Sequence, residues 1–500
     1  MDLIITLISK ICYFLWGDWI HIPLPGSGTL DLPLLVLILV PAGVYFTIRT
    51  GFLQIRMFPD MLRAVLEHAG VSKYAEAAED AEADDKGAAV PAGNTPDNAE
   101  TGKKKKRNGI SALQALVVST ATRVGMGNLV GVVAAVSAGG AGAVFWMWVT
   151  ALIGSATAFI EATLAQLHKE KDPLYGGYRG GPAYYIHDWI NSKRKGAPKK
   201  SILAILFALS GLICWCGISQ VVSNSVTSSF ENAFNIPPIY TVSVLVILAA
   251  IIVLRKNATV KVLDVLVPIM AGIYILLTLY MIFTNIGQLG TAFKNIFTEA
   301  FGLRQAAAGT FGAVLMNGVK RGLFSNEAGS GSAPCAAAAA EASHPAKVGL
   351  MQAFGVFIDT LLCTCTALIM LVVPESVIAG QEGMGLLQAA MAWHMGEAGV
   401  IFIAAVLWLF SFTTFLGILF YARSNVAYLF GDNWASQTAY KVVALVMLFI
   451  GGLAAYTFVW DLGDVGIGLM TIFNMIALIP LSKQALDSLK DFESKKRLRK

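Results

Sequence analysis

Apolar residues run through this chain in blocks too long for the interior of a soluble domain. Runs able to cross a bilayer as helix, about twenty residues each, fall at 31–50, 110–138, 142–167, 201–229, 239–254, 263–284, 306–338, 348–373, 399–421, 440–459 and 465–482. The pattern predicts an all-α polytopic membrane protein of about eleven transmembrane helices. Two of the runs are interrupted. In 110–138, Thr122-Arg123-Val124-Gly125-Met126-Gly127-Asn128 puts an arginine, an asparagine and a Gly-x-Gly where a lipid-facing helix would keep to aliphatic residues. In 306–338, the stretch from Asn317 to Gly331 carries Lys320, Arg321, Glu327 and four glycines. Glycine weakens a helix, and main-chain groups freed in hydrocarbon must find other partners. The bland explanation is close helix packing, because Gly127 and Gly131 also form a G-x-x-x-G pair. Setting the first run aside weakens that explanation. Ten runs remain, five from residue 110 and five from 306, and an odd number per half gives the halves opposite orientation. Paired interrupted segments at matching positions are the pointer to a transport site.

Composition agrees with membrane burial and adds orientation. Of 500 residues, 56% are hydrophobic and 14% charged, against about 25% charged in soluble domains. With the N-terminus outside and the C-terminus cytoplasmic, the inner segments hold 29 of the 37 Lys and Arg residues and the outer segments three, Lys10, Lys294 and Arg304. The predicted organisation is an interfacial N-terminal segment (1–30), an extra helix (31–60), a charged cytoplasmic insert (61–109), five helices (110–284), an external loop (285–305), five helices (306–482) and a basic tail (483–500). Within the insert, low hydrophobicity and blocks of like charge over 72–107 argue for disorder. Its basic run at 103–107 reads as a topology anchor beside anionic lipid, not as a nucleic-acid patch. Trp16 and Trp19 read as interfacial anchors. The six cysteines lack zinc-site spacing, and no His-Glu-x-x-His, Gly-x-Ser-x-Gly or phosphate loop occurs, which argues against an embedded enzyme. The glycine-rich stretch 172–186 is placed inside, as a candidate inner seal.

The interrupted segments and their surroundings resemble the alanine or glycine:cation symporters of the amino acid–polyamine–organocation superfamily. The likeness rests on Gly125 to Gly131 with Asn128, Trp146-Met147-Trp148-Val149-Thr150, Gly180-Gly181-Pro182 with Tyr184-Tyr185, Arg321-Gly322-Leu323-Phe324-Ser325-Asn326-Glu327-Ala328-Gly329, Asp359-Thr360, and Tyr428-Leu429-Phe430-Gly431. It covers about 33–60 and 108–485. It implies a leucine-transporter-like five-plus-five inverted repeat preceded by one extra helix, in the cell membrane. It also implies sodium-coupled symport of a small neutral amino acid such as alanine or glycine by alternating access. The same fold with proton coupling and a different amino acid is the alternative. Beyond the amino acid, the ion and the bilayer, no obligate protein partner and no cofactor is implied; Na+ is the co-transported ion.

Carried onto this chain, the resemblance implies that amides near Gly125, Met126 and Gly127 meet the substrate carboxylate, as helix ends do. Thr122, Ser219, Gln220, Phe324 and Ile418 are implied in the substrate pocket. Asn128 and Thr122 would offer oxygens to one sodium. A second would lie between carbonyls near Ala121 and Val124 and the hydroxyls of Thr413 and Thr414, unless those hydroxyls simply bond their own helix. The chain departs from the family pattern at Met126, at 218–225 and at 418–421, so the main-chain half of the site survives better than its side-chain wall. Arg123, Glu161, Arg321, Glu327 and Asp359 fall in or beside predicted spans, where a charge costs about 2.5–3.5 kcal/mol, so each should find a partner. Arg123 and Glu161 are expected to form a structural or gating pair. Asp359 is left between sodium ligand, proton carrier and ion-pair partner.

Overall fold

A computed structural model of the chain describes residues 2–24, 28–68, 110–194, 200–255, 258–301, 311–381 and 383–498. The insert at 72–107, with its basic run, lies outside the described residues. Helix α1 (Asp2–Trp16), a β-hairpin (Asp18–Leu24 with Gly28–Pro33), α2 (Leu34–Arg49) and α3 (Phe58–His68) come first. From residue 110 the elements are α4 (Ala112–Arg123), a π-helical turn (Gly127–Gly131), α5 (Val132–Gly139), α6 (Gly142–Leu167), α7 (Pro182–Ser192), α8 (Ile202–Phe234), α9 (Pro238–Val253) and α10 (Ala258–Thr284). Helix α11 (Ile286–Ala300) then leads to α12 (Phe311–Asn326), α13 (Pro334–Ala339), α14 (Pro345–Leu371), α15 (Met384–Met395), α16 (Glu397–Phe430), α17 (Trp434–Gly451) and α18 (Tyr456–Leu498).

The two halves repeat one order: a broken helix, a long helix, a short one, then three more. Helices α6, α7, α8, α9 and α10 have 26, 11, 33, 16 and 27 residues. Their counterparts α14 to α18 have 27, 12, 34, 18 and 43. Local chemistry sets many of the starts. Ser111 and Gln114 close a capping box on α4, and proline occupies the first turn of α7, α9, α13 and α14, where its missing N–H costs nothing.

Among the described residues, seven unbroken helices are long and apolar enough to cross a membrane, and α4 with α5, bent by 43°, make an eighth. Helices α2 and α9 stop at 16 residues each, and α12 with α13 is split, so the remaining three predicted spans are present as shorter or broken helices. Outward faces are apolar, as at Val244, Ile247, Leu276 and Phe283, while Arg123, Asn128, Glu161, Asn326, Glu327, Asp359 and Asn474 are buried. Charged and amide side chains thus lie inside a largely apolar core whose outer surface is apolar too, as a lipid surround requires.

One expectation is corrected here. Trp16 is no interfacial anchor. It is buried, and its Nε1 donates to the Asp464 carbonyl at 3.1 Å, so α1 packs against α18. Trp19 is exposed but donates to the Phe14 carbonyl at 2.7 Å from the hairpin. The basic tail is the continuation of α18, helical to Leu498 and tied at Lys496 to Asp60 of α3 at 2.5 Å.

Candidate substrate and cation site

The first break is held open by side chains, not by proline. Helix α4 ends where Val124 leaves helical geometry (φ −80°, ψ 70°). The freed Gly125 amide donates to Asn128 Oδ1 at 2.9 Å, and the Met126 amide reaches Thr414 Oγ1 at 3.3 Å. Asn128 can do this because its other end is anchored: Nδ2 faces the Asp359 carbonyl at 3.1 Å and its Oδ1 at 2.8 Å. Two of the three amides expected to meet a substrate carboxylate are therefore engaged by protein oxygens. The approach of α16 is close. A Cβ on Gly125 would stand 1.9 Å from Thr414 Oγ1, 3.0 Å from the Thr122 carbonyl and 3.2 Å from the Ala121 carbonyl. Three oxygens thus converge on one point, the kind of donor set a hard cation uses.

The second break follows α12. Glu327 (φ 57°), Gly329 (φ 94°) and Gly331 (φ 83°) turn the chain through left-handed backbone before α13. Glu161 of α6 steadies this turn: its carboxylate accepts from the Gly329 amide at 3.1 Å and from Asn474 Nδ2 at 2.5 Å. Asn474 is itself oriented by Tyr185, whose hydroxyl donates to Oδ1. The two breaks touch. A Cβ on Gly127 would lie 3.2 Å from the Cα of Ser325, and Ser325 Oγ donates to Asp359 Oδ1 at 2.6 Å. One carboxylate oxygen thus accepts from Asn128 at the first break and Ser325 at the second.

Arg123 is fully buried, yet it forms no ion pair among the described residues. Its Nη1 donates to the Gln352 carbonyl at 3.0 Å and to Oε1 at 3.1 Å, while Nε and Nη2 have no hydrogen-bond partner. The expected pair with Glu161 is not made, because Glu161 is occupied by the second break. Glu327 accepts from Ser332 Oγ at 2.7 Å and lies within reach of Thr122 and Tyr421, whose hydroxyls are 2.7 Å apart. One guanidinium thus stands among three buried carboxylates, Glu161, Glu327 and Asp359. With all four ionised, two negative charges would be uncompensated, a deficit that cations or protons must meet in so dry a place.

Other predicted residues fall elsewhere. Thr414 is at the first break, though its hydroxyl also bonds back to the Phe410 carbonyl at 2.8 Å. Thr413, one helical step round, bonds the same carbonyl at 3.0 Å and faces Met270 Sδ at 3.6 Å, away from the break. Adjacent side chains on a helix point about 100° apart, and here only the Thr414 hydroxyl is turned to the break. Ser219 donates to its own helix at Trp215, 2.7 Å away. Gln220 faces α17 through Met447 and Gly451, so neither reaches the breaks. Ile418 is buried beside Gly417, which packs on Thr122.

Arg321 does not pair with Glu161, Glu327 or Asp359. It lies 3.5 Å from Asp464 Oδ1 and 4.4 Å from the ring centroid of Trp460, while Lys320 meets Asp464 Oδ2 at 2.6 Å. Phe324 stacks at a tilt on Trp460, 5.0 Å between centroids. This cluster joins α12 to α18, and Asp464→Ala should destabilise the protein by about 3 kcal/mol, since it strands two largely buried cations. An unchanged unfolding midpoint in detergent would show that the cluster carries no such energy. Sequence reasoning missed Asp464, Asn474, Ser325, Gln352 and Tyr421. The signal for Asn474 was present, an amide in the middle of an apolar run; for the others it lay in spatial neighbours.

Residues 25–81 and 94–500 match the Sodium:alanine symporter family. The chain belongs to that family. Among curated relatives it is 39% identical over 480 residues to "Probable sodium/glutamine symporter GlnT" of Bacillus subtilis, covering 95% of this chain and 91% of that one. It is 38% identical to "Amino-acid carrier protein AlsT" of the same organism (92% and 89% covered). It is 32% identical to "Sodium/alanine symporter AgcS" of Methanococcus maripaludis (98% and 97%). The family and these relatives are transporters, and cation-coupled amino-acid transport by a multi-pass membrane protein is the activity they support. A manganese transporter of Eremococcus coleocola aligns over 78% of this chain and 81% of its own, at 11% identity and a TM-score of 0.48.

Proposed function

We propose that this protein is a sodium-coupled symporter that takes up a small neutral amino acid such as alanine or glycine by alternating access. The observation that carries the reading is the meeting of the two helix breaks at Gly127 and Ser325, with the Asp359 carboxylate held between them. In this reading the eleven predicted runs all cross the membrane, the two five-helix units form an inverted repeat, and the extra helix α2 precedes them. The repeated order of helix lengths supports it. The N-terminus lies outside and the C-terminus inside, supported by the Lys and Arg distribution. The substrate carboxylate displaces Asn128 or Thr414 from the amides at 125–127, and sodium takes oxygens from Ala121, Thr122, Val124, Asn128 and Thr414. Arg179, 2.7 Å from Asp432, and Arg423, paired with Asp172, tie the glycine-rich loop to the end of α16 as an inner seal.

The driving force suffices. One sodium crossing about 100 mV contributes about 2.3 kcal/mol, and a tenfold gradient adds about 1.4 kcal/mol. Together they concentrate a zwitterion several hundredfold. Asn128→Ala and Thr414→Ala should each raise the sodium concentration for half-maximal uptake about tenfold, read in proteoliposomes with alanine, glycine and glutamine as competitors. Unchanged sodium dependence in either would remove that residue from the ion site. The fully buried Asp359 favours a second reading, proton coupling in the same fold with a different amino acid. Uptake that survives sodium removal and follows an imposed pH gradient would select it.

A further inference from the structure

Helices α8, α16 and α17 enclose an apolar groove of about 540 Å³ on the flank of the protein, away from both breaks. Leu212, Trp215, Ala422, Phe430, Ala439 and Val443 line it, with alanines where bulk would fill it. At one end, sharing Leu419 and Tyr440, it adjoins a smaller recess formed by Tyr175, Arg255, Thr259, Arg423 and Lys441. The chemistry changes abruptly at that boundary, from aliphatic to cationic.

We propose that this groove and recess form one binding site for an anionic phospholipid, with an acyl chain along α8 and α17 and the phosphate held by Arg255, Arg423 and Lys441. Charge complementarity is the argument. Arg423 has its own counter-ion, Asp172, and its guanidinium lies over Tyr175, 3.7 Å from the ring centroid. Lys441 lies near enough to Arg423 for the two charges to repel. The side chains of Arg255 and Lys441 have no hydrogen bond or ion pair among the described residues. The other acid close by, Asp432, is taken by Arg179 at 2.7 Å. Two cations that pair with none of the described residues therefore stand where the apolar groove opens. Basic pockets between membrane helices select anionic headgroups for this reason. A zwitterionic lipid brings its own ammonium against the same cations and gains less.

The site shares Arg423 with the proposed inner seal, but lipid binding is read without any transport assay. The full chain, purified in detergent, is titrated with phosphatidylglycerol, phosphatidylcholine or inorganic phosphate, and read by unfolding midpoint and by lipid retained in native mass spectrometry. Phosphatidylglycerol is expected to raise the midpoint by several degrees and remain bound, whereas the other two do neither. Arg255→Gln and Lys441→Gln should each weaken apparent phosphatidylglycerol affinity about fivefold. Ala439→Phe, which fills the groove without touching a charge, should release the lipid while leaving the apo midpoint unchanged. Equal stabilisation by phosphatidylcholine would reduce the groove to an ordinary lipid-facing surface. Equal stabilisation by inorganic phosphate would make the recess a small-anion pocket. Undiminished phosphatidylglycerol binding in the double Arg255→Gln, Lys441→Gln variant would overturn the headgroup assignment.

Discussion

Gly125→Ala is expected to reduce uptake on the order of a hundredfold, the largest loss from any single methyl group in this chain. The added Cβ would lie 1.9 Å from Thr414 Oγ1, with the Thr122 and Ala121 carbonyls at 3.0 and 3.2 Å closing the other sides. Thr414 is a short side chain whose hydroxyl bonds the Phe410 carbonyl at 2.8 Å. It can yield only by rotating out of that bond or by pushing α16 away from α4. Overpacking of this kind costs about 1–3 kcal/mol, and any outward shift of α16 also pulls the oxygens off their common point. A second variant separates crowding from loss of the ion site. Thr414→Ala added to Gly125→Ala removes the clash and should recover the unfolding midpoint, but not sodium-dependent uptake. Wild-type uptake in Gly125→Ala would mean that α4 and α16 do not hold this approach during transport, and the proposed ion site would fall.

Asp359→Asn is expected to lose nearly as much, for a different reason. Asparagine keeps one acceptor for Ser325 and Asn128 and nearly the same volume, so the fold should survive. It removes one of three buried negative charges, and with it part of the attraction that any cation entering between the breaks would feel. Uptake should fall tens of fold, and the sodium concentration for half-maximal uptake should rise if the carboxylate draws sodium. Under the proton-coupled alternative, the pH dependence should flatten instead. Asp359→Ala is the harsher control. It leaves Ser325 Oγ and Asn128 Nδ2 without their carboxylate, at about 1–3 kcal/mol for each buried polar group, and its unfolding midpoint should drop where that of Asp359→Asn does not. If Asp359→Asn transports with unaltered sodium and pH dependence, the carboxylate is only a brace between the breaks.

These two residues differ in how visible they are in the sequence. Gly125 announced itself, because a Gly-x-Gly with asparagine inside a spanning run is anomalous wherever it occurs. Asp359 is visible as a charge in an apolar segment, but nothing in 345–371 says which neighbour it faces. The same limit explains Thr413 and Thr414. Both are hydroxyls at the right depth, and only the rotation of α16 about its axis decides that Thr414 reaches the break while Thr413 faces Met270. Ser219 and Gln220 failed for that reason too: a helix buried on several sides presents no periodic pattern from which a pocket-facing side can be read.

The membrane class, the two interrupted segments and the charge asymmetry of the loops are legible along the chain, whereas helix ends are not: α18 runs over Tyr456–Leu498 where the apolar run covers only 465–482. The legible features each follow from the cost of placing polar groups in hydrocarbon, which acts residue by residue and leaves its mark locally. Packing alone brings the breaks together at Gly127 and Ser325, gives Arg123 to Gln352 rather than Glu161, and gathers Lys320 and Arg321 on Asp464. Those pairings join residues up to 229 positions apart. Helix rotation and packing select one partner from several acids of equal cost at equal depth, and a linear pattern carries no record of that choice.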